Sequence, residues 1–228
     1  MQDHPVDDWF PVDEEEHQQQ CAALLDLLGD RRARVLDLGA GDGRIAAPLV
    51  EAGHEVCAVD HDQRAVDHLR DRGIEAVRAD FLDAAAWTDD MRAFDAVLCL
   101  GNTFMTVSRP EDALALLRRV RGAVAREGVF VIDAMCEPLW REVAEGYWQN
   151  GVSEDGHWQM LWHPGDNVLS LRRGEAVDEE DWSVRPEDAA LRLWSRGELT
   201  LLAAATGWRP PYRSGDVLLV FRPVAAAE

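Results

Sequence analysis

Three glycines alternate with other residues in Gly39-Ala40-Gly41-Asp42-Gly43, between an apolar run (Val35, Leu36, Leu38) and an amphipathic stretch. The run reads as a buried strand and the stretch as a helix. A strand that turns through glycines into a helix brings bare backbone close to a ligand, because glycine has no Cβ in the way. Asp37 lies inside the run, and a second apolar run over residues 55–59 ends on Asp60. An acid at the end of a second strand can accept both hydroxyls of a ribose. Loop and acid together point to binding of a nucleoside-containing ligand.

Glycine spacing separates the classes of ligand that use this layout. A dinucleotide loop, G-x-G-x-x-G, needs a glycine at position 44, which is Arg44. The pattern present is acid-x-G-x-G-x-G, from Asp37 to Gly43. It resembles the first motif of the class I S-adenosylmethionine-dependent methyltransferases. The resemblance covers roughly residues 30–135 and implies S-adenosylmethionine as cofactor, with S-adenosylhomocysteine as product. It implies that Asp37, Gly39, Ala40, Gly41 and Gly43 pass the methionine part, and that Asp60 with His61 meets the ribose. Asp80 would read the adenine amino group, and the backbone amide of Phe81 would meet the ring. The segment Leu100-Gly101-Asn102-Thr103-Phe104 is similar to the Gly-Asn-Ser-Phe-like sequence of the glycine N-methyltransferase-type branch. There Gly101 and Asn102 would border the sulfonium and the substrate. In related small-molecule enzymes an aromatic near the N-terminus covers the cofactor, a part open to Trp9; packing as a hydrophobic anchor is the alternative.

Such a site needs strand ends on one edge. Helical spacing predicts helices over 13–29, 43–52, 62–72, 111–126 and 199–205. Apolar runs predict strands over 34–38, 55–59, 76–78, 94–100 and 129–132, and strand-like runs over 208–213 and 216–221. This alternation predicts an α/β fold with a doubly wound, mostly parallel sheet. The resemblance implies seven strands and an antiparallel C-terminal hairpin. Residues 137–196 read as turns and β-hairpin patterns, at 157–162 and 167–172, in a small β-rich substrate-side insertion. The whole chain reads as a single domain: an entry helix or lid over 1–30, a cofactor-binding core over 31–136, the insertion over 137–196, and a helix and hairpin over 197–228.

Composition narrows the partners. The formal net charge is −20, and every non-histidine cation is arginine. Such a chain repels a polyanion, so nucleic acid is not expected as substrate. DNA and protein amide methyltransferases often carry Asn/Asp-Pro-Pro-Tyr/Phe after strand four; Pro210-Pro211-Tyr212 follows Arg209 instead and lies in the terminal hairpin. No apolar run reaches membrane-spanning length, and Met1-Gln2-Asp3-His4-Pro5 lacks the basic-then-apolar pattern of a secretion signal. The four cysteines, Cys21, Cys57, Cys99 and Cys136, form no C-x-x-C pair. No metal is expected, and a reducing cytoplasm is.

The acceptor is expected to be a small molecule methylated at nitrogen or oxygen. Seven of the nine tryptophans lie between Trp140 and Trp208, where some could wall a substrate pocket and face a cation. Candidates for a general base are His157, His163, Asp133 and Glu137. Two other readings share the loop: a non-catalytic binder or partner subunit with the same pocket, and a nicotinamide dehydrogenase, which Arg44 disfavours.

Overall fold

A computed structural model describes residues 12–88, 90–134 and 136–225, with the side chains of 136–139 left aside. Trp9 therefore lies outside the described residues, as does the side chain of Glu137. The elements in chain order are α1 (Glu14–Leu28), β1 (Arg34–Leu38), α2 (Ala46–Glu51), β2 (Glu55–Asp60), α3 (Gln63–Asp71), β3 (Glu75–Arg78) and β4 (Phe94–Cys99). There follow α4 (Pro110–Ala123), β5 (Val124–Asp133), α5 (Cys136–Ala144), β6 (Gly151–Val152), β7 (Trp158–Trp162), β8 (Val168–Arg173), β9 (Ala189–Arg192), α6 (Arg196–Thr206), β10 (Tyr212–Ser214) and β11 (Leu218–Phe221).

One sheet has seven strands in the order β10-β11-β5-β4-β1-β2-β3. Strands β1 to β5 pair parallel, and β11 and β10 close the edge antiparallel. The chain runs β1-β2-β3 in one direction and then jumps back to β4 on the other side of β1. That reversal opens a crevice at the carboxyl ends of β1 and β4, where ligands bind in open α/β sheets.

Alternation along the strands feeds two cores. Leu36, Leu38, Val97, Cys99, Phe130 and Ile132 face α4 and α6, where Leu117, Val120, Leu199 and Trp208 meet them. Val35, Ala96, Leu98, Val129 and Val131 face the other layer, with Leu24 of α1, Leu49 of α2 and Leu69 of α3. Such strands, buried on both faces, are near-continuous apolar runs, which made them visible in the sequence. Helix ends follow capping chemistry: Asp13 accepts from Glu16 N at 2.8 Å, and Ser195 with Glu198 forms a capping box on α6.

A second sheet, β6-β7-β8-β9, is wholly antiparallel. Its core of Met160, Leu169, Leu171, Leu191 and Leu193 packs on Met105, just beyond the carboxyl end of β4. Two elements differ from the sequence expectation. Residues 136–144 form helix α5 rather than turn and hairpin; Trp140 and Val143, three apart, share a helical face and pack on the second core. Strand β5 begins at Val124, not 129, because Val124 pairs with Phe94 before the register shifts at Ala96.

Candidate functional site

The glycine loop leaves β1 where sequence spacing put it. The amides of Gly39 and Ala40 donate to Val59 O at 2.8 and 3.2 Å, so the loop is seated on the end of β2. At Gly39 (φ +71°) a Cβ would stand 2.5 Å from Thr103 Cγ2, so only glycine lets the loop lie against the segment after β4. Gly41 (φ +56°) is the opposite case: a Cβ there would meet nothing within 4 Å. Bare backbone thus borders open space. An Asx-type contact from Arg44 N to Asp42 Oδ1 (3.1 Å) continues the turn, and α2 starts only at Ala46, three residues later than spacing suggested.

Asp60 is buried and holds two backbone amides. Its Oδ2 accepts from Gly41 N and its Oδ1 from Asp62 N, each at 2.9 Å. Each carboxylate oxygen keeps a further lone pair. His61 Nδ1 lies 3.5 Å from Asp60 Oδ1, with a side chain 64% exposed. Next along the edge, Asp80 is exposed and caps its own turn through Leu82 N at 2.8 Å. Phe81 is half-buried beside it, its carbonyl accepting from Trp87 Nε1 at 2.8 Å.

After β4, Leu100 and Asn102 are buried, and Gly101 and Asn102 both have positive φ, 68° and 64°. Asp133 fixes that turn. Its Oδ1 accepts from Gly101 N at 3.2 Å and its Oδ2 from Asn102 N at 2.9 Å. Gln20 Nε2 of α1 donates to the same Oδ1 at 2.9 Å, while Gln20 Oε1 accepts from Arg44 Nη1 at 2.8 Å. Asp133, a candidate base by sequence, is therefore a buried clamp. Phe104 is a core residue, its ring 6.0 Å from that of Phe130 and 5.7 Å from that of Trp194. Of the histidines, His163 Nε2 is 2.8 Å from Ser170 Oγ, and His157 is exposed on the hairpin of the second sheet. Gln20 was not among the residues singled out by sequence. Its signal was a lone polar residue in line with Leu24 and Leu28 on the buried stripe of α1.

The electrostatics of this edge are lopsided. Asp37, Asp60 and Asp133 are all buried. Burial pushes the Asp37 carboxyl up to about 7; Arg44 draws it down, while Asp60 and Asp133 push it further up. Burial also raises Asp133, against the amides of Asn102 and Gly101, Arg44 and Gln20. A cluster in which one carboxyl holds its proton near neutrality favours a ligand that brings positive charge. S-adenosylmethionine, with a sulfonium and an ammonium, fits this donor set; the pyrophosphate of a dinucleotide does not. Among the described residues, no group of side chains could hold a metal, and no helix is long and apolar enough to cross a membrane.

Comparison with known proteins bears on the same edge. Residues 35–128 match the family model described as a methyltransferase domain. Over 103 residues the chain is 39% identical to a cypemycin N-terminal methyltransferase from Streptomyces sp, covering 43% of this chain and 40% of that one. Over 106 residues it is 29% identical to a glycine/sarcosine N-methyltransferase from Aphanothece halophytica, covering 44% and 39%. The chain thus spans about two fifths of the length of these curated relatives. The CcbJ methyltransferase from Streptomyces caelestis shares the fold over 92% of this chain and 90% of its own, with a TM-score of 0.67 at 20% identity.

Proposed function

We propose that this chain, whose residues 35–128 match a methyltransferase domain, is a class I S-adenosylmethionine-dependent methyltransferase that transfers a methyl group to a nitrogen of a small molecule. The observation that carries the reading is the buried cluster of Asp37, Asp60 and Asp133 beneath a glycine loop open at Gly41. The N-methyltransferase relatives favour nitrogen over oxygen.

When bound, the cofactor supplies a methyl group already activated by its positive sulfur. The residues do the rest. Asp60 offers its remaining lone pairs to the ribose hydroxyls. Asp80 and the Phe81 backbone stand at the adenine end. Gly101 and Asn102, held by Asp133, shape the wall beside the reacting centre. Alignment of this kind is worth ~7–11 kcal/mol when two reactants are held in line. A neutral amine attacks without a strong base, which accords with a site whose Asp60 and Asp133 carboxylates hold backbone amides. The proton that the nitrogen sheds after methylation passes to solvent.

Calorimetric titration with S-adenosylhomocysteine tests the reading. Micromolar binding is expected, and its absence in folded protein would overturn the proposal. Binding without methylation across a broad panel of amines, phenols and acids would leave a non-catalytic binder.

A further inference from the structure

Beyond the cofactor edge, a shallow cavity of about 590 Å³, open to solvent, lies between α5, the β7–β8 hairpin and the start of α6. Its volume is in the range that holds a drug-sized molecule, about 300–1,000 Å³. Trp140, Trp148 and Trp162 line it, with Asp166, Asn167 and Glu198. Two connections tie its walls to the cofactor edge. Helix α5 leaves the carboxyl end of β5 just after the Asp133 clamp. The second sheet is tied to the segment after Asn102 by Met105 in its core and by Arg192 Nε donating to Ser108 O at 2.6 Å.

The charges of this cavity discriminate between ligands. Arg192 is the cation beside it, and it is spent: it pairs with Asp166 at 2.8 Å and Glu198 at 3.0 Å, and also donates to Asn167 Oδ1. Burial pushes the Asp166 carboxyl up, but hydrogen bonds from Arg192 and the Asn167 amide outweigh it and hold it below the usual range, with the charges of Arg192 and His163 adding to that. Glu142 is bound to Trp148 Nε1 at 2.8 Å and adds a third acid. Among the described lining residues the charged groups are the acids Asp166 and Glu198, and none is a cation for a ligand carboxylate. The indoles attract a cation through their π-faces and an apolar body through area. The N–H groups of Trp140 and Trp162 are buried without a hydrogen-bond partner, so no hydrogen bond pins these two rings as Glu142 pins Trp148.

We propose that this tryptophan cavity is the acceptor site, and that it takes a basic amine with a ring-sized apolar body and excludes free amino acids and other carboxylates. The inference rests on the methyltransferase reading and narrows it. A glycine-sized acceptor would leave most of the cavity empty and its carboxylate beside acids with no lining cation to pair with.

The test uses the full chain with S-adenosylhomocysteine present, titrated calorimetrically with phenethylamine and, separately, with 3-phenylpropionate, two probes of like size and opposite charge. Phenethylamine is expected to bind at least tenfold more tightly. Trp148→Ala should weaken it about tenfold or more, with S-adenosylhomocysteine affinity within twofold of the parent. Asp166→Asn, a change at an exposed side chain, should narrow the gap between the probes. Equal binding of amine and carboxylate, or phenethylamine affinity unchanged in both variants, overturns the proposal. Phenethylamine binding without any S-adenosylhomocysteine binding would keep the cavity as an amine site and sink the methyl-transfer reading instead.

Discussion

The two sheets bury opposite charges. At the carboxyl edge of the seven-stranded sheet, Asp37, Asp60 and Asp133 are out of solvent, with Arg44 the cation facing Asp37 and Asp133. In the four-stranded sheet it is arginine that is buried. The side chain of Arg172 is fully enclosed and finds Asp188 at 2.8 Å, the carbonyl of Asp181 at 2.7 Å and that of Ser183. Arg192 is likewise enclosed among Asp166, Glu198 and Asn167. The second sheet thus gives each buried arginine its own acids, while the first leaves a carboxyl holding a proton near neutrality. A buried arginine enclosed by its own acids is scaffold; carboxyls left short of positive charge, at the edge of the first sheet and along the tryptophan cavity, are where a cation belongs.

That contrast breaks first at Arg172. Replacing it with Met leaves Asp188 buried without its partner, and breaking a buried pair costs about 3–5 kcal/mol. Urea unfolding should show a loss of that order; a loss under 1 kcal/mol would mean that the second sheet does not depend on its buried cations. Asp60→Ala comes next. It removes a charged acceptor and frees the Gly41 amide, a loss of about 1.5–3 kcal/mol for hydrogen bonds to a charged group. Calorimetry should find S-adenosylhomocysteine affinity down about 10–100-fold, and unchanged affinity would remove Asp60 from the site.

The smallest effect, and the sharpest on the contrast itself, is at Asp37. Its carboxyl is raised from 3.8 to about 7, so it binds a proton in the folded state that the unfolded chain has already released. The stability tied to that proton is full below pH 4 and lost as pH rises towards 7. Asp37→Asn, neutral throughout, should gain stability over the parent at pH 8 and not at pH 4, measured by denaturant midpoints. Cofactor binding moves the other way. A cation prefers the ionised carboxyl, so S-adenosylmethionine affinity should rise up to about tenfold from pH 6 to 8 in the parent and stay flat in Asp37→Asn. An equally steep profile in the variant would place the titration elsewhere, with Asp60, Asp133 and Arg44 the groups that face it.

Much of the first sheet was legible because its central strands are short apolar runs that stop at or near glycine or acid, as at Leu38-Gly39 and Val59-Asp60. Local signals do not report long-range pairing. Gln20 and Asp133 are 113 residues apart, and nothing near either announces their hydrogen bond. The general-base guesses show the same limit: His163 has the right chemistry, but its Nε2 already faces Ser170. The tryptophan-rich third was the least readable. Its aromatics divide between core (Trp194, Trp208), a contact with Arg173 (Trp158) and cavity wall (Trp140, Trp148, Trp162), and residue type does not tell these apart. Helix α5 was not legible because Cys136–Ala144 spans under three turns with Pro138 among them, too short for a helical period to stand out.

Asp133 has a consequence for the order in which the molecule can come apart. One carboxylate joins the opening helix, the turn after the fourth strand and the end of the fifth, three stretches far apart along the chain. Prying away the first helix strips a donor from the group that holds the turn after the fourth strand. The helix is a brace for that turn, and its loosening would be felt at the proposed acceptor wall before any strand parted from its neighbour.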